Sequence, residues 1–324
     1  MNKICATALM LSVLLTACAK PPSQTDLSKT AAENSLGYGS NFTTINGLSF
    51  HYVEQGRGDL MLFLHGFPYF GASWDKLLTP FSANYHVVAP DNRGYAYTEK
   101  PEKLSDYRIE LLVDDVRQLI TKLSPGKPVV LVGHDWGGSL AWGLAQTHPE
   151  LISKLIIINA PPANVLLKML KESPSQATAS SYVGKLDSWI TKLIFTIKGP
   201  ELLWRGLAHL EEQGYVDEQF KSAFMDAWRQ PGAAQAAVNW YTANIPKFDD
   251  INEEDYWPSA DARIAVPSLL IWSSRDKAFA LDTFNAIPAY VDTLSVKVIE
   301  TDSHAPFIDH TEQVIDHINE FLRQ

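Results

Sequence analysis

The sequence predicts an α/β fold: a mostly parallel, eight-stranded sheet with helices on both faces, interrupted by a helical insertion. Three observations carry this. From Asn41 onward short β-rich runs alternate with longer helical ones, the pattern of strand–helix–strand units wound into one sheet. Runs such as Pro128-Val129-Val130-Leu131-Val132 are apolar throughout rather than alternating, as strands covered on both faces must be. From about Pro162 to Ala262 the strand pattern stops, and helical segments are separated by Pro174, Pro200, Gly214 and Pro231.

The candidate strands are Phe42 to Ile45, Leu48 to Glu54, Leu60 to His65, His86 to Ala89, Val129 to Gly133, Leu155 to Asn159, Ser268 to Trp272 and Val296 to Glu300. Between them, Ile109 to Leu123 and Gly138 to Thr147 read as helices, and an amphipathic helix closes the chain. The expected organisation is a core over 41–161 and 263–324 with a helical lid over 162–262. A chain of 324 residues with 46% hydrophobic content can bury such a core. The formal net charge of -10, with no concentrated run of Lys and Arg, excludes a phosphate-backbone partner, so no nucleic acid is expected.

The N-terminus reads as a targeting signal. Lys3 gives a positive start, and the apolar run Ile4 to Leu15 is too short to span a bilayer. The run ends Leu15-Thr16-Ala17-Cys18, which resembles a bacterial lipobox, with cleavage after residue 17 and an acyl chain on Cys18. A secretory signal with a chance cysteine at its edge is the plainer alternative. Cys5 would be removed with the signal, leaving Cys18 without an intrachain partner. Residues 18–40, with Pro21, Pro22 and many Ser and Thr, have the composition of a solvated tether. The expected location is the bacterial cell envelope, lipid-anchored at the periplasmic side of the outer membrane.

The strongest chemical signal is Gly133-His134-Asp135-Trp136-Gly137. It has the small-x-nucleophile-x-small form of a nucleophile elbow, with Asp at the centre. Small residues permit the sharp strand-to-helix turn, and the helix N-terminus behind it favours a carboxylate. An Asp that merely caps the helix is the bland alternative. It loses ground because partners follow in the order nucleophile, acid, base. Asp276 follows Leu269-Leu270-Ile271-Trp272, and His304 follows the last strand, both at the carboxyl edge where ligands of open sheets sit. A carboxylate at Asp276 can orient the imidazole and stabilise its charged form. His65-Gly66-Phe67-Pro68 after the third strand looks like an oxyanion loop, with the backbone N–H groups of Phe67 and Trp136 as donors.

Together with Asp91-Asn92-Arg93-Gly94, these motifs resemble the epoxide hydrolase branch of the α/β-hydrolases, from about Asn41 to the C-terminus. That family uses two lid tyrosines. Asn239-Trp240-Tyr241 resembles its second tyrosine motif, and Tyr182 in Ala179-Ser180-Ser181-Tyr182 sits where the first is expected. The resemblance implies that Asp135 attacks an epoxide carbon while Tyr182 and Tyr241 protonate the oxygen. His304, oriented by Asp276, then activates water against the resulting ester. No metal or organic cofactor is implied, and the expected partner is a small-molecule epoxide or related electrophile.

The sequence departs from the family at Ser303 and Ala305 around His304 and at Ser273-Ser274 before the acid, which bears on pocket shape. Two rivals stay open. A dehalogenase would share the Asp nucleophile and use Trp136 as a halide donor, although such enzymes typically carry Asn at the position of Phe67. A non-catalytic binding lipoprotein on the same fold is the other.

Overall fold

The computed structural model describes residues 24–186 and 188–324. The expected signal segment and Cys18 lie outside the described residues. One sheet holds β1 (Gly39–Ile45), β2 (Leu48–Gln55), β3 (Leu60–Leu64), β4 (His86–Pro90), β5 (Val129–His134), β6 (Ile152–Ile158), β7 (Ser268–Ser273) and β8 (Leu294–Ile299). Their spatial order is β1-β2-β4-β3-β5-β6-β7-β8. β1 pairs antiparallel with β2, and β2 with β4; the remaining neighbours are parallel. All eight expected strands are present, with ends shifted by a few residues.

The helices are α1 (Gln24–Glu33), α2 (Asp75–Phe81), α3 (Ile109–Leu123), α4 (Trp136–Thr147), α5 (Ala163–Glu172), α6 (Pro174–Ala179), α7 (Val183–Leu186), α8 (Trp189–Glu212), α9 (Glu218–Arg229), α10 (Ala233–Asn244), α11 (Leu281–Ala286), α12 (Pro306–Asp309) and α13 (Thr311–Leu322). Every residue of β3, β5 and β7 is buried, which explains their unbroken apolar runs. Each fully buried Leu, Val or Ile contributes roughly 1.5–3 kcal/mol. α3 buries Ile109, Leu112, Val113, Val116, Leu119 and Ile120, the helical spacing of one face, and packs on α4. Between β6 and β7 the described residues form helices α5 to α10 and short 3-10 turns.

Polar side chains brace the carboxyl edge of the sheet. The buried Asp91 carboxylate accepts the N–H groups of Gly71 at 2.8 Å and Tyr97 at 3.1 Å and contacts His51 Nδ1 at 2.7 Å. Arg93 forks onto both oxygens of the buried Asp115 at 2.7 Å. The Arg93 carbonyl accepts the Trp240 indole N–H of α10 at 2.9 Å, so the helical segment is fastened to the core beside this pair.

One expectation is corrected. Much of the presumed tether is ordered: α1 occupies Gln24–Glu33 and packs on β1, which itself begins at Gly39. Ala31 is fully buried, and the Asn34 amide donates to Tyr97 Oη at 2.9 Å and to Asp226 of α9 at 3.1 Å. Pro21 and Pro22 precede this helix rather than interrupt it. Ala31, with little rotamer entropy to lose, needs only a small apolar contact to dock.

Candidate active site

Asp135 stands between β5 and α4 with φ 51° and ψ −122°, a conformation that non-glycine residues seldom adopt and that costs of order 1–3 kcal/mol. The turn is possible because nothing bulky crowds it. A Cβ on Gly137 would strike the Leu64 carbonyl, one on Gly133 would lie 2.6 Å from the Gly137 oxygen, and one on Gly66 would occupy the place of the Asp135 carboxylate. The elbow therefore sits directly against the loop after β3. Asp135 Oδ1 accepts the Phe67 N–H at 2.8 Å, and the Trp136 N–H also bonds to this carboxylate.

His304, between β8 and α12, places Nε2 3.5 Å from Asp135 Oδ2 and Nδ1 2.8 Å from Asp276 Oδ2. The Asp276 side chain is completely buried, and its Oδ1 accepts the N–H groups of Ala278 at 2.6 Å and Phe279 at 3.0 Å. Burial works against charge on Asp135, yet hydrogen bonding and charge from His304 and the nearby His134 hold its carboxyl below the usual range. Burial likewise opposes protonation of His304, but the Asp276 carboxylate, reinforced by hydrogen bonds to both acids, pushes its pKa up to about 10. The site thus holds an imidazolium between two carboxylates.

The loop His65-Gly66-Phe67-Pro68 is held from below. His65 Nε2 accepts the Asn92 N–H at 3.0 Å, so its Nδ1–H is left to donate to the Gly66 carbonyl at 3.0 Å. Burial lowers the His65 pKa, and the ring acts as a neutral strut. The Phe67–Pro68 peptide is cis, and the Pro68 carbonyl accepts the Trp228 indole N–H of α9 at 2.8 Å.

Tyr241, on α10, packs edge-on against Phe67 at 5.9 Å, Trp136 at 5.2 Å and Tyr182 at 6.0 Å between ring centroids. Burial, then the neighbouring Tyr182 and Asp135, raise its pKa well above 10, while a hydrogen bond from the Trp136 indole works the other way. Tyr182, between α6 and α7, is 43% exposed. Its hydroxyl is the enclosed end: desolvation and the Asp135 charge push it up to about 12 against a hydrogen bond with Tyr241. Asp135, His304, Asp276, Phe67, Trp136, Tyr182 and Tyr241, with His65, Gly66 and Pro68, meet in this one place, whereas Asp91 and Arg93 brace the sheet edge beside it.

Three residues escaped sequence reasoning. His134 Nε2 donates to the His304 carbonyl at 2.8 Å, and Asn159 Nδ2 donates to the same carbonyl at 2.9 Å. Asn159 also bonds Ser273 through its amide oxygen and nitrogen, locking the loop after β8 to the ends of β6 and β7. Its place directly after an apolar strand was the available signal. The third is Tyr95, a buried phenol whose hydroxyl lacks a partner among the described residues and stacks edge-on with His65 at 4.9 Å. A cavity of about 530 Å³ opens on His304 and Tyr69, and one of about 470 Å³ reaches Trp136 from the opposite end of the site.

A family model for the alpha/beta hydrolase fold matches residues 59–311. The chain belongs to this family. Among α/β-hydrolases it is 34% identical over 291 residues to AB hydrolase superfamily protein YfhM of Bacillus subtilis, covering 87% of this chain and 93% of that one. Epoxide hydrolase 4 of Homo sapiens is 34% identical over 254 residues, 76% of this chain and 67% of that protein. A solved epoxide hydrolase of Bacillus megaterium superposes with a TM-score of 0.80 at 30% identity, covering 88% of this chain and 100% of that chain. The eight-stranded hydrolase sheet, and membership of the hydrolase class with epoxide hydrolases as relatives, thus agree with expectation.

Proposed function

We propose that this α/β-hydrolase opens epoxides to vicinal diols through an ester on Asp135. The observation that carries the reading is the opposition of Asp135, ionised beside His304, to the paired phenols of Tyr182 and Tyr241. A carboxylate can attack an sp3 carbon, but the departing epoxide oxygen needs a proton in the same step. Tyr241 packs edge-on against both Trp136 and Tyr182, which sets the two phenols together as donors to one oxygen.

Asp135 forms a bond to an epoxide carbon, the carbon–oxygen bond breaks, and the oxygen takes a proton from a lid phenol. Esterification removes the Asp135 charge that helps hold the proton on His304, so the imidazolium releases that proton to the phenolate and the phenol is restored. Neutral His304 then takes a proton from water as the water attacks the ester carbonyl carbon. The oxyanion forms on the Asp135 oxygen that already faces the Phe67 and Trp136 N–H groups. Collapse expels the diol oxygen, which takes the proton of the newly added hydroxyl and returns Asp135 as a carboxylate beside protonated His304.

Dehalogenation would ask the Trp136 indole to face a halide, whereas its ring packs edge-on against Tyr241 at 5.2 Å between centroids. A single turnover in heavy-oxygen water is expected to place the label on the Asp135 carboxylate rather than in the diol. Halide release without diol formation across a broad epoxide panel would overturn the proposal. We further propose that the mature chain begins at Cys18 and is held to a bilayer by acyl chains there. Mass spectrometry of the N-terminal peptide from cell envelopes tests this.

A further inference from the structure

Helix α8 exposes an apolar stripe. Ile190, Leu193, Ile194 and Ile197 follow the i, i+3, i+4, i+7 spacing of one helical face and are 46–65% exposed. The opposite side is apolar as well: Phe195 packs on Phe67 at 6.3 Å and on Trp228 at 5.7 Å. A helix apolar on both sides needs cover on both, and a contiguous exposed patch of this kind marks a docking surface.

We propose that this face of α8 docks onto an anionic lipid bilayer, lying in its interface rather than crossing it. Three observations select that occupant. The charge beside the stripe is inverted relative to the chain: among the described residues Lys185, Lys198 and Arg205 are exposed against Glu201, whereas the whole sequence carries -10. An apolar stripe flanked by Lys and Arg on a helix is the pattern of interfacial binding. No helix among the described residues is long and apolar enough to cross a membrane. Finally, Cys18, the proposed acyl site, precedes Gln24 by six residues, a reach of at most about 20 Å. α1 in turn is tied by Asn34 to Asp226 of α9, the helix that packs on α8. An acyl chain and the stripe would then act as the two signals that stable attachment requires. Docking does not depend on which electrophile Asp135 attacks.

The test uses the full chain carrying Cys18→Ser, so that no acyl chain contributes, and vesicles of phosphatidylethanolamine and phosphatidylglycerol. Partitioning onto these vesicles is expected to fall at least tenfold with Ile194→Glu and Ile197→Glu together. Lys185→Glu with Lys198→Glu is expected to weaken binding to phosphatidylglycerol vesicles but not to neutral ones. Circular dichroism melting and turnover of a water-soluble epoxide serve as folding controls for these exposed positions. Equal partitioning of parent and Glu variants overturns the proposal. So does a fluorophore at Ile197→Cys, with Cys5→Ser, that is already shielded without lipid. Shielding that rises with protein concentration would assign the face to a second copy, and shielding lost on deleting residues 4–15 would assign it to the chain's own N-terminal segment.

Discussion

Gly66 and Asp135 approach so closely that a methyl group on the first would coincide with the carboxylate of the second. The glycine therefore sets the position of the proposed nucleophile as firmly as the elbow does. Gly66→Ala is expected to fold but to lower kcat/KM by about 100-fold, the scale of a misplacement near 1 Å. Steady-state kinetics beside an unchanged circular dichroism spectrum check this; retained activity would mean the carboxylate has room to spare.

Asp276 holds the His304 ring by one oxygen and two backbone N–H groups by the other. Asp276→Asn keeps the shape but removes the charge that favours imidazolium, a change that costs on the order of 10⁴ in kcat in comparable triads. The ester on Asp135 is expected to accumulate, visible as a mass increase equal to one substrate molecule.

The His304 pKa is raised to about 10. A raised value in the folded state means that this group's contribution to stability is complete below its unfolded pKa and is lost as pH rises through about 10. Asp135→Asn, which removes one of the two facing charges, is expected to bring the imidazole titration down, as NMR of the ring protons can follow. A titration unmoved by this change would place the whole effect on Asp276.

Replacing Tyr241 or Tyr182 by Phe is expected to slow ester formation from epoxides by about 10²–10⁴-fold, the range for loss of a general acid. Alkyl halides, whose leaving group needs no proton, are expected to be far less affected. Rapid-mixing measurements that separate ester formation from ester hydrolysis discriminate this from a general loss of folding.

Asn159 satisfies the His304 carbonyl and the Ser273 backbone N–H deep in the fold. Asn159→Ala leaves the Ser273 N–H without a partner and the His304 carbonyl with the His134 ring alone, and is expected to destabilise the protein by about 1–3 kcal/mol. Denaturant unfolding reads the change directly.

The strands were legible because β3, β5 and β7 are buried on both faces, and such strands can be written only in apolar residues. The elbow and its partners were legible because chain order and position after a strand carry information beyond residue type. What stayed hidden is the bracing. His134 reads as a filler within the elbow, and Asn159 as the end of a strand, until β5, β6 and β8 come together and both point at one carbonyl. The docking of α1 was hidden for the opposite reason: a segment rich in Ser and Thr can be ordered by a single buried Ala31 and one well-placed Asn34.

The two phenols stand on unequal mechanical footing. Tyr241 follows Trp240, whose indole is bolted to the Arg93 carbonyl beside a buried ion pair, so its hydroxyl belongs to the rigid frame. Tyr182 sits in a short turn between small helices with its ring 43% exposed and its hydroxyl turned inward, so it can swing without disturbing the sheet. Entry past Tyr182, with Tyr241 as the fixed backstop, would let the substrate assemble its second proton donor as it arrives.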